Sequence, residues 1–279
     1  MHGIVCIDKP KDWTSFDVVN ALSKKYRVKA GHTGTLDPQA TGVLVCLINS
    51  TKVLPFLDMS KKRYIATCQL GIKTDTGDIW GNIIEEKKSQ PIDKDKLKTI
   101  LTGLLGKSQQ EVPMTSAKKV RGKKLYEYQR QQLDVETITQ EIEVFEIHTH
   151  QVDEFSFVFE ALVSSGTYMR SLCETIAKKL GQIGTMSDLI RSECGIFTLQ
   201  DCVSIDEALG SLPLIPIEKG LTHYQSVEVS NPKEIIHGKR FEHEYIDDMI
   251  LLTHQQKALA IYEYDDKQKN YRSKRGLWI

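Results

Sequence analysis

The chain has 279 residues, 40% of them hydrophobic, and can bury a sizeable core in one large domain or one large and one small domain. Lys plus Arg equals Asp plus Glu at 37 each, so the net charge does not indicate a nucleic-acid partner. With no bilayer-spanning run and no signal-peptide pattern at Met1, we expect a cytoplasmic protein without a membrane partner.

The residue pattern of the N-terminal part predicts a strand, a helix and a second strand. Residues 4–7 are a short apolar run. Thr14 and Asp17 have the spacing of a capping box, and apolar residues at helical spacing extend the predicted helix to about Tyr26. Residues 43–48 are apolar and rich in β-branched side chains, which predicts a central strand.

Between this helix and the second strand lies GHTGTLDPQATGVL, residues 31–44, whose only acid is Asp37. Pro38 fixes its own φ and favours an extended backbone at the preceding residue, while glycines allow a ligand to approach the backbone closely. The loop could form a sharp turn with an Asp cap or present one carboxylate to a bulky ligand. Residue types alone favour the turn.

The middle of the chain predicts alternating strands and helices. Residues 63–70 alternate as a strand does, and residues 73–78 form a polar loop. A helix is predicted from Asp93 to Leu105, with Gly106 ending it. The six cysteines are scattered and form no CxxC pair, so we expect buried free thiols and no zinc site.

Two strands and a helix are predicted next. Residues 142–147 and 155–163 are the strands, separated by a polar turn. Thr167 has the character of an N-cap, and a helix from there to Leu180 would end at Gly181.

The last part of the chain predicts a small β-rich domain. Ser204 and Glu207 form a capping-box pattern for a short helix. Beyond residue 220, short β-like runs at 249–252 and 258–262 precede a basic end.

Four motifs in order, covering about residues 1–200, resemble the TruB family of tRNA pseudouridine synthases. Residues 31–44 resemble its catalytic motif, residues 62–64 its K-x-Y pattern, residues 164–172 its GTYIRSL motif and residues 189–197 its LRRTxxGxF motif. Residues 112–130 also resemble the family's insertion. The chain departs from the pattern at four positions, which are Met114, Thr115, Thr185 and Ile190.

The resemblance implies an α+β fold with a mixed, largely antiparallel central sheet flanked by helices, the pseudouridine synthase fold. It also implies a catalytic domain at residues 1–220, with an RNA-binding insertion at about 90–137. Residues 221–279 would form a small C-terminal PUA-like RNA-binding domain.

The implied reaction is isomerisation of uridine to pseudouridine at position 55 in the T arm of tRNA. The base would be flipped out, and an aspartate would assist glycosidic bond cleavage and carbon–carbon bond formation. The partner would be the T stem-loop of tRNA, and this chemistry requires neither a cofactor nor a metal. We expect a monomer. A non-catalytic RNA-binding or tRNA-folding protein on the same scaffold, and a synthase in a guide-RNA particle, are the alternatives.

Three residues are implied as catalytic by their motif positions. Asp37 corresponds to the essential carboxylate, Tyr64 would stack on the uracil and take part in proton transfer, and Arg170 would hold Asp37 charged and oriented. Because positive charge at a helix start is disfavoured by the dipole, Arg170 should have an anionic partner, for which Asp37 is expected.

Further residues are implied as substrate contacts. His32 would fill the space that the flipped base leaves, and Leu189 would pack against the base. Tyr168, Gly31 and Thr35 belong to the same motifs and are predicted to bind substrate.

Three basic clusters without acids beside these motifs suggest a phosphate-binding face: residues 24–29, 61–63 and 118–124. We assign backbone contacts to Lys118, Lys119, Lys123 and Lys124.

One histidine pair stands apart from these motifs. His148 and His150 would share one face of a strand, but no third ligand is near in sequence, so we expect a structural role and no metal site.

Overall fold

The computed structural model describes residues 1–116, 118–131, 133, 136, 138–244 and 247–277. Within them the strands are β1 (Gly3–Lys9), β2 (Ala30–His32), β3 (Thr41–Ile48), β4 (Lys61–Leu70), β5 (Ile72–Thr74), β6 (Ile83–Glu86), β7 (Gly106–Glu111), β8 (Lys119–Val120), β9 (Lys123–Lys124), β10 (Thr139–Val152), β11 (Ser156–Ser164), β12 (Gly184–Cys194), β13 (Phe197–Thr198), β14 (Cys202–Val203), β15 (Gln225–Glu228), β16 (Met249–His254), β17 (Lys257–Asp265) and β18 (Asn270–Gly276). The helices are α1 (Ser15–Tyr26), α2 (Lys94–Thr102), α3 (Leu125–Arg130), α4 (Met169–Leu180), α5 (Ile205–Gly210) and α6 (Pro232–Ile236).

The chain divides into two compact units. The first consists of Met1–Asp37, Val43–Met59 and Gly195–Ile279, and the second of Pro38–Gly42 and Ser60–Cys194. These units are made of discontinuous segments, whereas the predicted domain boundary is a single point between residues 220 and 221. That boundary stays a prediction.

The first unit is built around β1 and β3, with α1 packed on them. The predicted capping box at Thr14 and Asp17 is present, so the start of α1 is confirmed. Its apolar face, with Val18 and Leu22 fully buried, packs against side chains of β1, β3 and α5. Strand β1 lies between β3 and β14, and β14 pairs with it in parallel.

The first unit also contains a separate four-stranded sheet, in the order β15-β16-β17-β18. Its strands β16 and β17 confirm the two β-like runs predicted in this part of the chain. A core of its own lies on this sheet, with Tyr262 and Tyr271 fully buried among aliphatic side chains.

The second unit is an antiparallel sheet in the order β12-β4-β11-β10-β7. Thr41 and Gly42 at the start of β3 pair in parallel with Ile190 and Arg191 of β12. The central sheet is therefore mixed and largely antiparallel, as predicted, and helices flank it.

Helix α4 covers one face of this sheet. Along β4, the residues at even positions from 62 to 70 are buried and the others are half-buried or exposed. The Cys68 thiol of that buried face donates to the Cys173 carbonyl of α4, with 3.8 Å between S and O. The predicted free thiols are buried at five of the six cysteines, and Cys202 is half-buried.

Two predicted helix boundaries are wrong. Helix α2 ends at Thr102 rather than Leu105, because Gly103 caps it and Gly106, with φ of 89°, begins β7. Helix α4 is capped by Tyr168 rather than Thr167. The Thr167 hydroxyl instead donates to the Ser164 carbonyl at 2.8 Å.

The segment predicted as an insertion contributes α2, β7, β8, β9 and α3 to the second unit. Ala117 of its motif and residues 132, 134, 135 and 137 near its end lie outside the described residues. Among the described helices, none has the length and hydropathy needed to cross a membrane.

Candidate active site

The loop that carries Asp37 is held at two points before the acid within the first unit. Gly31 and His32 pair with β3, and the Thr33 amide donates to the Val45 carbonyl at 3.0 Å. Next to the acid, the Leu36 amide donates to Ser15 Oγ at 2.8 Å. The backbone of this loop is therefore fixed one residue before the carboxylate.

Exposure along this loop differs from residue to residue. Thr35 is exposed, Leu36 is buried, and both His32 and Asp37 are half-buried. An anchored loop with a half-buried carboxylate can present that carboxylate to a ligand without first ordering its backbone.

Tyr64, Leu189 and Arg191 lie on one face of the sheet in the second unit. Tyr64 is directly opposite Arg191, and Leu189 is opposite Ala66. Since directly opposite residues in an antiparallel pair point to the same side, all of these side chains share the face that α4 covers. Arg191 is only 1% exposed, which makes it one of the most buried large side chains of the chain.

A second buried cation, Lys62, lies on the same face two residues before Tyr64. Its ammonium donates to Ser165 Oγ at 3.0 Å. Burial lowers the pKa of Lys62, because desolvation disfavours the charged form, and the nearby Arg191 lowers it further. Lys62 and Arg191 are thus two buried basic side chains on the same face as Tyr64.

Arg170 lies in the first turn of α4 and is 7% exposed. One guanidinium nitrogen donates to the Thr76 carbonyl at 2.9 Å and to Thr115 Oγ1 at 2.5 Å. The same nitrogen lies 3.6 Å from Asp78 Oδ2. These partners offset the unfavourable helix dipole at this position.

Asp78 is itself fixed within the predicted polar loop, which is shorter than predicted because Lys73 and Thr74 belong to β5. Its Oδ1 accepts from the Thr76 hydroxyl at 2.8 Å and from the Trp80 amide at 3.2 Å, which leaves Oδ2 toward Arg170. The loop is tied to β12, since the Ile79 amide donates to the Met186 carbonyl at 2.9 Å. This carboxylate is therefore a rigid partner for the guanidinium.

The backbone before α4 is held by Gln110 of β7. Its side-chain amide accepts from the Tyr168 amide at 2.8 Å and donates to the Tyr168 carbonyl at 3.0 Å. This double contact explains why Tyr168, and not Thr167, caps the helix.

The sequence of motifs has a counterpart in known proteins. The family described as TruB family pseudouridylate synthase (N terminal domain) matches residues 20–169. The chain belongs to the TruB family. It is 40% identical to a protein of Oceanobacillus iheyensis named tRNA pseudouridine synthase B, over 94% of this chain and 93% of that protein. It is 38% identical to the protein of that name from Alkaliphilus oremlandii, over 90% of this chain and 86% of that one.

Solved structures agree in fold. A Cbf5-Nop10-Gar1 complex contains a chain that matches with a TM-score of 0.75 and 21% identity, over 99% of this chain and 85% of that chain. A chain of an H/ACA RNP bound to a substrate RNA containing 2′-deoxyuridine matches with a TM-score of 0.75 and 20% identity, again over 99% of this chain and 85% of that chain. At this identity the likeness confirms the pseudouridine synthase fold.

The lysines assigned to RNA contacts lie on a β-hairpin of this TruB-family chain. Strands β8 and β9 join through Arg121 and Gly122, whose φ angles of 49° and 85° are those of a two-residue hairpin turn. Lys118 donates to Gln140 at 2.7 Å, and Lys124 donates to the Tyr126 hydroxyl at 3.2 Å. Lys123 also has a neutral partner, the side chain of Gln131.

The cluster at residues 61–63 differs from the predicted phosphate-binding surface. Lys62 is buried, and the Arg63 guanidinium bonds to three carboxylates, Glu146 at 2.8 Å, Glu160 at 3.1 Å and Glu193 at 3.1 Å. A guanidinium already paired with three carboxylates is a poor phosphate contact.

Two residues of this region were not found from the sequence as site residues. Asp78 was part of a polar loop, and only the fold brings it to Arg170. Arg191 was visible as the remaining arginine of the LRRTxxGxF motif beside Ile190, and that signal could have identified it.

Proposed function

We propose that this TruB-family chain isomerises uridine to pseudouridine at position 55 in the T arm of tRNA. Similarity to proteins named tRNA pseudouridine synthase B over 94% of the chain carries the proposal. The presence of Asp37, Tyr64 and Arg170 at their motif positions supports an active enzyme. Position 55 rests on the motif resemblance.

In the proposed reaction, the N-glycosidic bond of the uridine breaks, the uracil turns, and its C5 bonds to C1′ of the same ribose. The proton on C5 is lost and N1 gains one, so nothing is oxidised and no group leaves. The Asp37 carboxylate acts as a nucleophile or stabilises positive charge at C1′.

A uridine stacked in RNA must leave the stack, at a cost of about a few kcal/mol. In this proposal His32 fills the vacated space, Tyr64 stacks on the flipped uracil and Leu189 packs against it. Arg170 holds the Asp37 carboxylate charged and oriented. The rigid setting of Arg170 among Thr76, Thr115 and Asp78 suits an orienting role.

The remaining assignments extend the proposal to the rest of the chain. Tyr168, Gly31 and Thr35 contact the substrate, and the lysines of the β8–β9 hairpin contact RNA phosphates. Residues 1–220 form the catalytic domain and residues 221–279 a PUA-like RNA-binding domain. The T stem-loop is the recognised element, and the protein acts as a cytoplasmic monomer without a metal in catalysis.

The test is mass-spectrometric mapping of pseudouridine in an unmodified tRNA transcript, with wild type, Asp37→Asn and a control, Asp8→Asn, which changes an exposed acid of the same unit. We expect one modified site, at position 55, with wild type and the control. Asp37→Asn should bind tRNA nearly as well and form no pseudouridine.

Each other outcome removes a defined part of the proposal. Substantial turnover by Asp37→Asn rules out the catalytic role of that carboxylate. Modification at another uridine overturns the assigned position. Tight tRNA binding by a wild-type protein that never forms pseudouridine would favour the non-catalytic RNA-binding alternative.

A further inference from the structure

The outer face of the second unit's sheet brings two histidines and a glutamate together. His148 on β10 lies directly opposite Glu160 on β11, and His150 follows two residues later. His150 Nε2 is 2.6 Å from Glu160 Oε2, and His148 Nε2 is 3.8 Å from the same oxygen. One ligand atom from each of the three residues lies within 4.8 Å of the others.

Two bulges in β10 create this arrangement. The register shifts between Val144 and Glu146, and again between Thr149 and Gln151. Before the first bulge, Val144 is buried, whereas His148 and His150 beyond it are exposed. Bulges re-aim side chains and contract a strand, which agrees with imidazole rings that stack at 5.2 Å.

The glutamate is held in place for a ligand. Arg63 donates to Glu160 Oε1 at 3.1 Å, so the other carboxylate oxygen, Oε2, is the one directed at the imidazoles. The Glu160 side chain is 16% exposed, whereas those of His148 and His150 are 54% and 42% exposed. A fixed carboxylate beneath two accessible imidazoles leaves room for water to complete a coordination shell.

The local charge also favours a cation. Arg63 bonds to Glu146, Glu160 and Glu193, so one guanidinium faces three carboxylates.

We propose that His148, His150 and Glu160 form a binding site for a divalent metal ion of the zinc class. Bonds of about 2.0–2.2 Å in a tetrahedral shell place ligand atoms about 3.4 Å apart. The observed 2.6 and 3.8 Å lie on either side of this value, so small side-chain rotations suffice. Neutral imidazoles suit Zn²⁺, Ni²⁺ and Cu²⁺, whereas Mg²⁺ prefers oxygen ligands.

The site is separate from the proposed chemistry. Glu160 lies opposite Ile65 on β4, while Ala161 lies opposite Tyr64, so the two positions belong to opposite faces of the sheet. A bound ion would tie β10 to β11 and, through Arg63, to β4. The ion should therefore stabilise the fold without taking part in the isomerisation. The proposed metal site does not depend on the proposed function.

The test is Zn²⁺ titration calorimetry on the tag-free, chelator-treated full chain, together with Co²⁺ absorption spectra. Wild type should bind one equivalent, and Co²⁺ should give the visible bands of an ion with nitrogen ligands. The double variant His148→Asn, His150→Asn should bind at least about tenfold more weakly. His237→Asn removes an exposed histidine elsewhere and should bind as wild type does.

Two more variants separate a built site from loose surface binding. Glu160→Gln keeps the side-chain shape and removes the ligand charge, and Arg63→Lys keeps the charge and loses the fork. Each should weaken binding, the second by about 10- to 100-fold. Zn²⁺ should raise the melting temperature of wild type but not of the double histidine variant.

Unsaturable binding, equal affinity in wild type and the double histidine variant, or equal competition by Mg²⁺ would each overturn the site. Pseudouridine formation that requires Zn²⁺ in wild type would overturn its separation from the chemistry.

Discussion

At the scale of single residues, the setting of Arg170 is tightly constrained. It has acceptors at Thr76 and Thr115 and a carboxylate at Asp78, all within the second unit. A guanidinium presents five donors in a planar fork, so one side chain can serve several acceptors in a fixed geometry. A lysine at this position would supply one point charge.

Arg170→Lys should keep the charge yet lose most of the single-turnover rate on a T-arm stem-loop. Arg170→Ala should be slower still, because removing one partner of a buried charge pair leaves the other unpaired. Combined with Asp37→Asn, either change should slow the reaction no further than Asp37→Asn alone, since residues that act as a unit are not additive. A wild-type rate for Arg170→Lys would make Arg170 a phosphate contact or a structural residue.

Asp78→Asn should lower the same rate while leaving tRNA affinity nearly unchanged. The amide keeps the shape of the side chain but removes the charge that faces Arg170, whose guanidinium can then settle in another orientation. Asp75→Asn is the matched control, because Asp75 lies in the same loop and bonds instead to the amide of Asn82 at 2.8 Å. Equal effects of the two changes would show that loop structure, and not the ion pair, matters.

Candidate site residues could be predicted where a sequence motif contains them. The side chains that contact them in the fold could not. Asp37, Tyr64 and Arg170 were assigned by position within motifs, and their roles stay predictions. Asp78 and Glu160 were not, because each meets its partner through strand register or loop placement rather than through sequence spacing. His148 and His150 were recognised as a pair, but their third candidate ligand lies on the next strand.

At the scale of elements, the start of β3 depends on a glycine. Gly42 has φ of 99°, and a Cβ added there would lie 2.3 Å from the Arg191 carbonyl oxygen. The close parallel pairing of Thr41 and Gly42 with β12 therefore leaves no room for a side chain. The buried Arg191 opposite Tyr64 depends on the same pairing.

Gly42→Ala should destabilise the fold by about 3 kcal/mol or more, since it adds a backbone clash to an unfavourable φ. Gly181→Ala is the matched control, with φ of 85° and no heavy atom within 4 Å of its added Cβ. It should cost only the conformational penalty, about 1–2 kcal/mol. Thermal unfolding of both variants measures the difference, and similar losses would contradict the packing argument.

Local signals predicted element ends well only where they were strong. The capping boxes that start α1 and α5 are short-range patterns, and both are present. The start of α4 is set by Gln110, which is distant in sequence, so Thr167 could not be ruled out as its cap from local residues. The bulges of β10 are likewise consequences of pairing with β11.

At the scale of the whole molecule, a net charge of zero conceals an uneven distribution. Arg63 is neutralised by glutamates, whereas Lys118, Lys123 and Lys124 of the β8–β9 hairpin bond to amides and a hydroxyl. Lysines with neutral partners keep a charge that can attract phosphate. RNA affinity should therefore depend on this hairpin more than on the total charge.

This charge distribution predicts how salt affects tRNA binding. Each phosphate contact contributes about 0.7–0.9 to the slope of log affinity against log salt. If all four hairpin lysines contact phosphates, changing Lys118, Lys119, Lys123 and Lys124 to alanine should flatten the slope by about 3. The control changes four exposed lysines of the second unit outside the predicted insertion, namely Lys87, Lys88, Lys178 and Lys179. Both variants lose the same net charge, so a long-range effect would flatten both slopes equally. A slope that changes only in the hairpin variant locates the contacts, and an unchanged slope there would show that these lysines are merely solvated.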